Sequence, residues 1–243
     1  MKSSLKLFVW WAAFLCFSRA LKPFINFSTT SKQRWKIIFH VARIAVLAEK
    51  DFDSPSGVLT SKNFRNVAQG NIRGEDTTLD RISRQISYSV RRIKEIAPSN
   101  SFYNDFLKNI IATWETHAIR DVKERKTNIT KEDALRSTEN RGGLYFLALV
   151  LAIQPKSFTD KNRLAVYYSG AWIQIVDDYA DQKKDVGKKH TPFTIHQDES
   201  LKEAFEQCKG NYERQILSSS GGASRWLIKL IKLFSFLWPL NPI

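Results

Sequence analysis

Between Gly170 and Asp185 the chain reads GAWIQIVDDYADQKKD, with acidic side chains at spacings that can hold a metal ion. On an α-helix, Gln174, Asp178, Asp181 and Asp185 share one face, and Asp177 lies four residues before Asp181 on its edge. Like charges at these intervals destabilise a helix by about 0.2–0.5 kcal/mol per pair, so a compensating cation is expected. Carboxylate and amide oxygens suit a hard divalent cation such as Mg²⁺, which takes one or two carboxylates and completes its shell with phosphate oxygens. Lys188 and Lys189 follow closely and can meet the same phosphates as point charges. A solvated acidic helix face is the plainer reading of such a block. Against it, Tyr168, Trp172, Ile175 and Tyr179 form an aromatic and apolar stripe that leads the carboxylates toward a protein interior.

The acidic block stands in a basic chain. Among 243 residues, 38 are Lys or Arg and 24 are Asp or Glu, a formal charge of +14 that attracts polyanions. Candidate partners are nucleic acid, an anionic membrane face and phosphorylated small molecules. No helix-turn-helix, zinc-finger or aromatic RNA-binding motif occurs, and aspartates without a metal repel phosphate, so nucleic acid is not expected. Cys16 and Cys208 have neither metal nor redox spacing, which excludes a disulfide scaffold and a zinc module. The four histidines are scattered, and neither a G-x-S-x-G nor a P-loop pattern is present.

The elements that must position these residues read as helices. From residue 31 to 217 apolar positions recur at helical intervals, with no sustained alternation of the strand kind. Trp35–Lys50 carries an almost continuous apolar face, and Leu79, Ile82, Ile86, Val90 and Ile93 mark a second helix. Phe102, Phe106, Ile110 and Trp114 mark a third. Thr130 with Asp133 opens another in the manner of a capping box, running into the wholly apolar Leu144–Ile153. Leu164, Tyr168, Trp172, Ile175 and Tyr179 stripe a long helix to about Asp185, and Leu201, Phe205, Cys208, Tyr212 and Ile216 stripe the last. The expected architecture is an all-α bundle of six or more helices spanning 31–217, with its site between facing helices.

Both ends differ from this middle. In the segment 1–30, LFVWWAAFLCF is apolar but shorter than the roughly 20 residues a spanning helix needs. It reads as a membrane-interface helix, as a signal peptide cleaved near Ser18-Arg19-Ala20, or as an ordinary buried helix. In 218–243, a Ser/Gly linker precedes a basic amphipathic helix in which Arg225, Lys229 and Lys232 share one stripe. Two such ends favour contact with a membrane surface, on its cytoplasmic side, over packing against the domain.

The order G-x-x-I-Q-x-x-D-D-Y-x-D-x-x-x-D resembles the second aspartate-rich motif of class I isoprenoid synthases, and is most similar to that of trans-prenyl diphosphate synthases. Upstream, Arg141-Gly142-Gly143-Leu144-Tyr145-Phe146 resembles the K-T-(G/A)-x-L-F element whose lysine contacts diphosphate in that family. The resemblance covers about residues 130–195. It implies a helical bundle with a central cavity and an Mg²⁺-dependent enzyme that ionises an allylic prenyl diphosphate for prenyl transfer or terpene formation. By the same resemblance Asp177, Asp178, Asp181, Asp185 and Gln174 hold metal, while Arg141, Lys188 and Lys189 meet the diphosphate. Tyr145, Phe146, Tyr168 and Trp172 become candidates to line a cavity for the carbocation. The family's first motif has its counterpart in AEKDFDSPSG, where Glu49, Asp51 and Asp53 would complete the metal site. This stretch is not D-D-x-x-D, and no R-R-G follows. The departure admits a second reading, a catalytically degenerate, membrane-associated binding or scaffold protein of the same fold.

Overall fold

Threonine hydroxyls set the starts of three helices. Thr30 and Gln33 close a reciprocal capping box, with the Thr30 N–H donating to Gln33 Oε1 at 2.8 Å and the Gln33 N–H to Thr30 Oγ1 at 3.3 Å. Thr130 accepts from the Asp133 N–H at 3.1 Å, and Thr159 from the Asn162 N–H at 3.3 Å. Each bond satisfies an amide that the first helical turn leaves without an intrahelical partner.

The computed structural model describes residues 2–22, 25–52, 61–69, 81–97, 100–124, 130–180, 201–220 and 224–237. Among them the elements are α1 (Lys2–Leu21), α2 (Ser31–Phe52), α3 (Ser61–Ala68), α4 (Arg81–Ile96), α5 (Asn100–Glu124), α6 (Lys131–Ala152), α7 (Asp160–Ala180), α8 (Leu201–Ser220) and α9 (Ser224–Leu237). The all-α expectation holds: the described residues contain no strand beyond an isolated bridge between Phe27 and Pro155. They fall into two compact units.

The first unit comprises Met1–Ala118 and Ala148–Ser157. Helix α1 packs on α2, and α2 on α4. Phe14, Phe17 and Leu21 of α1 are fully or almost fully buried, as are Ile37, Ile38, Val41 and Ile44 of α2 and Ile86, Val90 and Ile93 of α4. The apolar face read on α2 is therefore split. Trp35 and Phe39 stay outside, 43% and 40% exposed, because they lie off the side that Ile37, Ile38 and Val41 turn to the core. Ser87 Oγ donates to the Val67 carbonyl at 2.9 Å and ties α3 to α4. The end of α6 also belongs here. Gln154, in the left-handed region at φ 60°, stops the helix just before Pro155, and the Thr29 hydroxyl donates to the freed Ile153 carbonyl at 2.8 Å.

The second unit comprises Ile119–Leu147 and Phe158–Pro242. Helix α7 packs against α8 and α9. Its buried residues, among them Ala165, Val166, Ala171, Trp172, Ile175 and Val176, cover most of its circumference. Leu164, read as part of the inward stripe, is 47% exposed, since it lies just before the buried stretch that begins at Ala165. Ser218 and Ser219, read as linker, continue α8. On α9, Leu227, Ile228 and Ile231 are buried, while Arg225, Lys229 and Lys232 are exposed. Lys232 Nζ donates to Glu213 Oε1 of α8 at 2.8 Å. Among the described residues no helix is long and apolar enough to cross a membrane.

One titratable group in the first unit has a marked environment. His40 lies between the rings of Phe39 and Tyr88, and its pKa falls to about 4, first through burial and then through Arg43 and Arg92, with Glu95 opposing. Its folded pKa lies below the unfolded value of 6.5, so the stability present above pH 6.5 is lost as pH falls toward 4. Replacing His40 with Phe keeps a ring in place and removes the titration. Urea unfolding at pH 7 and pH 4.5 should show a smaller acid loss in His40→Phe than in wild type.

Candidate functional site

The backbones of α6 and α7 touch where each carries a glycine. A Cβ on Gly142 would stand 2.2 Å from the Gly170 carbonyl oxygen and 2.6 Å from Gln174 Cβ. A Cβ on Gly170 would stand 2.3 Å from the Gly142 oxygen and 2.7 Å from Phe146 Cβ. Only hydrogen fits at either position. This contact joins RGGLYF to GAWIQIVDDYAD, so two stretches separated in sequence form one site within the second unit.

Close approach at the glycines lets short side chains meet across the two helices. Arg141 Nη2 donates to Asp178 Oδ2 at 2.9 Å, with only 8% of the arginine and 5% of the aspartate exposed. Thr138, one turn before Arg141 on α6, donates its hydroxyl to the same oxygen at 2.9 Å. Gln174, one turn before Asp178 on α7, donates Nε2 to Asp178 Oδ1 at 3.1 Å and to Asp177 Oδ2 at 3.4 Å. Asp178 thus receives three donors, one of them a permanent cation, which is the charge-assisted bonding that a carboxylate removed from solvent requires. Asp177 beside it is only half-buried. Tyr179 leaves the pair on the far side and stacks on Phe205 of α8, ring centroids 4.3 Å apart.

The structure therefore brings together Arg141, Gln174, Asp177 and Asp178. Asp181, Asp185, Lys188 and Lys189 lie outside the described residues, as does Asp53. Glu49 and Asp51 lie at the end of α2 in the first unit, the former half-buried and the latter 2% exposed. Asp51 is therefore an interior residue. Among the described residues no group of three or more His, Cys, Asp or Glu side chains is placed to hold a metal ion.

Of the candidate cavity aromatics, Phe146 and Trp172 are buried in packing, Phe146 lying beside Gly170. Tyr168 lines an open pocket of ≈ 460 Å³ in the second unit with Tyr167, Tyr212 and Glu139. The pocket is polar: Tyr212 donates to Glu139 Oε1 at 3.0 Å and Tyr167 to Asn140 Oδ1 at 2.8 Å. Burial, reinforced by Glu139, raises the Tyr212 hydroxyl far above its ordinary pKa and the Tyr167 hydroxyl to about 12, so both remain donors at neutral pH.

Sequence reasoning missed Thr138, whose signal is the T-x-x-R spacing that puts two donors on one helix face. It also missed Glu139, the neighbour that the tyrosines surround. Neither a family model, nor a curated protein, nor a solved structure matches the chain.

Two substitutions test this geometry. Gly142→Ala forces the crossing apart and should cost about 3 kcal/mol, the upper end of overpacking penalties, because the obstacle is backbone. Asp178→Ala strands the Arg141 charge in the interior and should cost about 3–5 kcal/mol, whereas the double variant Arg141→Met/Asp178→Leu should cost less than that single change. Urea denaturation midpoints decide both.

Proposed function

We propose that this chain binds an allylic prenyl diphosphate with Mg²⁺ and ionises it, releasing pyrophosphate, in a helical fold of the class I isoprenoid synthase type. The observation that carries this reading is the direct pairing of the two stretches that resemble the family. Arg141 of the first binds Asp178 of the second, and Gly142 meets Gly170 beneath them.

The donor chemistry fits a hard cation in part. Asp177 is a half-buried carboxylate at the end of α7, followed in sequence by Asp181 and Asp185, and these carboxylates would hold Mg²⁺. Asp178 fits less well, because both of its oxygens already accept hydrogen bonds from the chain. When bound, the metal supplies Lewis-acid neutralisation of the diphosphate. The chain's own residues do the rest. Thr138 and Asp178 fix the Arg141 guanidinium, whose charge would meet the phosphate oxygens as the C–O bond breaks and its electron pair leaves with pyrophosphate. Gln174 spans Asp177 and Asp178 and holds the two carboxylates in register. Lys188 and Lys189 would close over the phosphates. The carbocation left behind goes on to prenyl transfer or terpene formation. Membrane-surface contact through the apolar termini suits a substrate that partitions into lipid.

One observation favours a second reading, a catalytically silent binding or scaffold protein. A buried arginine and aspartate that neutralise one another need no ligand. Pyrophosphate release separates the two. With Mg²⁺ and geranyl, farnesyl or geranylgeranyl diphosphate, wild type should release pyrophosphate. Asp177→Ala should lower kcat/KM on the order of 100-fold while leaving thermal unfolding unchanged. Release from none of these diphosphates would leave the scaffold reading standing.

A further inference from the structure

The first unit carries aromatic side chains that its core does not use. On α2, Trp35 and Phe39 are 43% and 40% exposed, and they continue as an i, i+4, i+8 row to Arg43. Tyr88 of α4 is 45% exposed and Phe8 of α1 is 59% exposed. These residues form one connected surface. Phe8 meets Trp11 at 5.9 Å between ring centroids, and Trp11 meets Trp35 edge-on at 5.1 Å. At the other end the His40 ring lies 5.5 Å from Phe39 and 6.1 Å from Tyr88, and the Arg43 guanidinium sits 5.8 Å above Tyr88. The core residues of the same helices, such as Phe14, Phe17, Ile37, Ile38 and Val41, face the other way.

Charge runs in one direction across this surface. Helix α1 has three basic residues and α2 has four before Glu49, with no acid in either stretch. Helix α4 has five basic residues and one acid, Glu95, which is paired with Arg92. Lys32 and Lys36 are exposed beside the aromatic row. Aromatic rings at the surface, rimmed by cations and with Glu95 already paired with Arg92, match a lipid interface, where rings sit at headgroup level and basic side chains meet anionic headgroups.

We propose that the first unit docks on an anionic lipid surface through Trp35, Phe39 and Arg43 of α2, flanked by Phe8 of α1 and Tyr88 of α4. The proposal concerns the first unit alone and is independent of the enzymatic reading, and it narrows the contribution of α1 to its outer aromatics, since Phe14, Phe17 and Leu21 serve the core.

Co-sedimentation of the full chain with vesicles tests the proposal. Wild type should bind vesicles of equal parts phosphatidylcholine and phosphatidylglycerol at least about tenfold more tightly than phosphatidylcholine alone. The variant Trp35→Ser/Phe39→Ser/Tyr88→Ser, checked for native helicity by circular dichroism, should lose at least about tenfold on the mixed vesicles. The single change Trp35→Ser should give a smaller loss in the same direction, should the triple variant misfold. On α9, Arg225→Glu/Lys229→Glu should keep most of the binding. Equal vesicle binding by wild type and a folded triple variant overturns the proposal. So does single-stranded RNA binding that displaces the vesicles and is lost in that same variant.

Discussion

The contact between Gly142 and Gly170 is the constraint on which the site in the second unit depends. Two helices whose side chains interdigitate normally stand 8–10 Å apart at about that axis separation. Here the backbones themselves touch, and that proximity lets Thr138 and Asp178, both short, reach across without extended rotamers. The ion pair between Arg141 and Asp178 follows from the crossing. Such a pair adds little net stability, because desolvation offsets most of the Coulomb gain. What it imposes is register: a slip of one turn along α7 would take Asp178 out of reach of both Thr138 and Arg141, and leave charge buried on each helix. Asp177, Gln174 and Tyr179 keep their orientations because the residue among them cannot move.

That arrangement also bears on how a strongly basic protein keeps an acidic block. Asp178 is neutralised from within by Arg141, so its charge does not repel its neighbour at full strength. Asp177 stays half-buried, with the Gln174 amide against it. Two adjacent residues of one type therefore differ: Asp178 anchors the helix crossing, and Asp177 stands half-buried beside it.

Much of this organisation was legible in the sequence. Apolar periodicity marks α2, α4, α5, α7 and α8, and Thr130 announces the start of α6 through its position before Glu132 and Asp133. The full burial of Ala148–Ile153 follows from the lack of any polar face there. The failures are physical in origin. Periodicity identifies an apolar stripe but not which members end at the rim, so Leu164, Trp35 and Phe39 read as core and stand outside. Glycine in a helix reads as a weakness, and nothing local says that Gly142 and Gly170 meet. The Arg141–Asp178 pair was missed for the same reason. Each residue had been assigned to an external ligand, and only the crossing shows that they are partners of one another.

The short bridge beside the end of α6 has a consequence in time. The Thr29 hydroxyl binds the Ile153 carbonyl, a partner 124 residues later in the chain. At synthesis rates of about 5–20 residues per second, the segment after α1 waits roughly 6–25 s for that partner to be made. Closing so long a loop is entropically slow as well, so the bond belongs to the late part of folding rather than to its nucleus. During that interval α1, α2 and α4, all made before Ile153, can already bring their apolar faces together. The first unit is thus closed by a clasp from the middle of the chain, and its completion is set by the clock of translation as much as by the strength of its contacts.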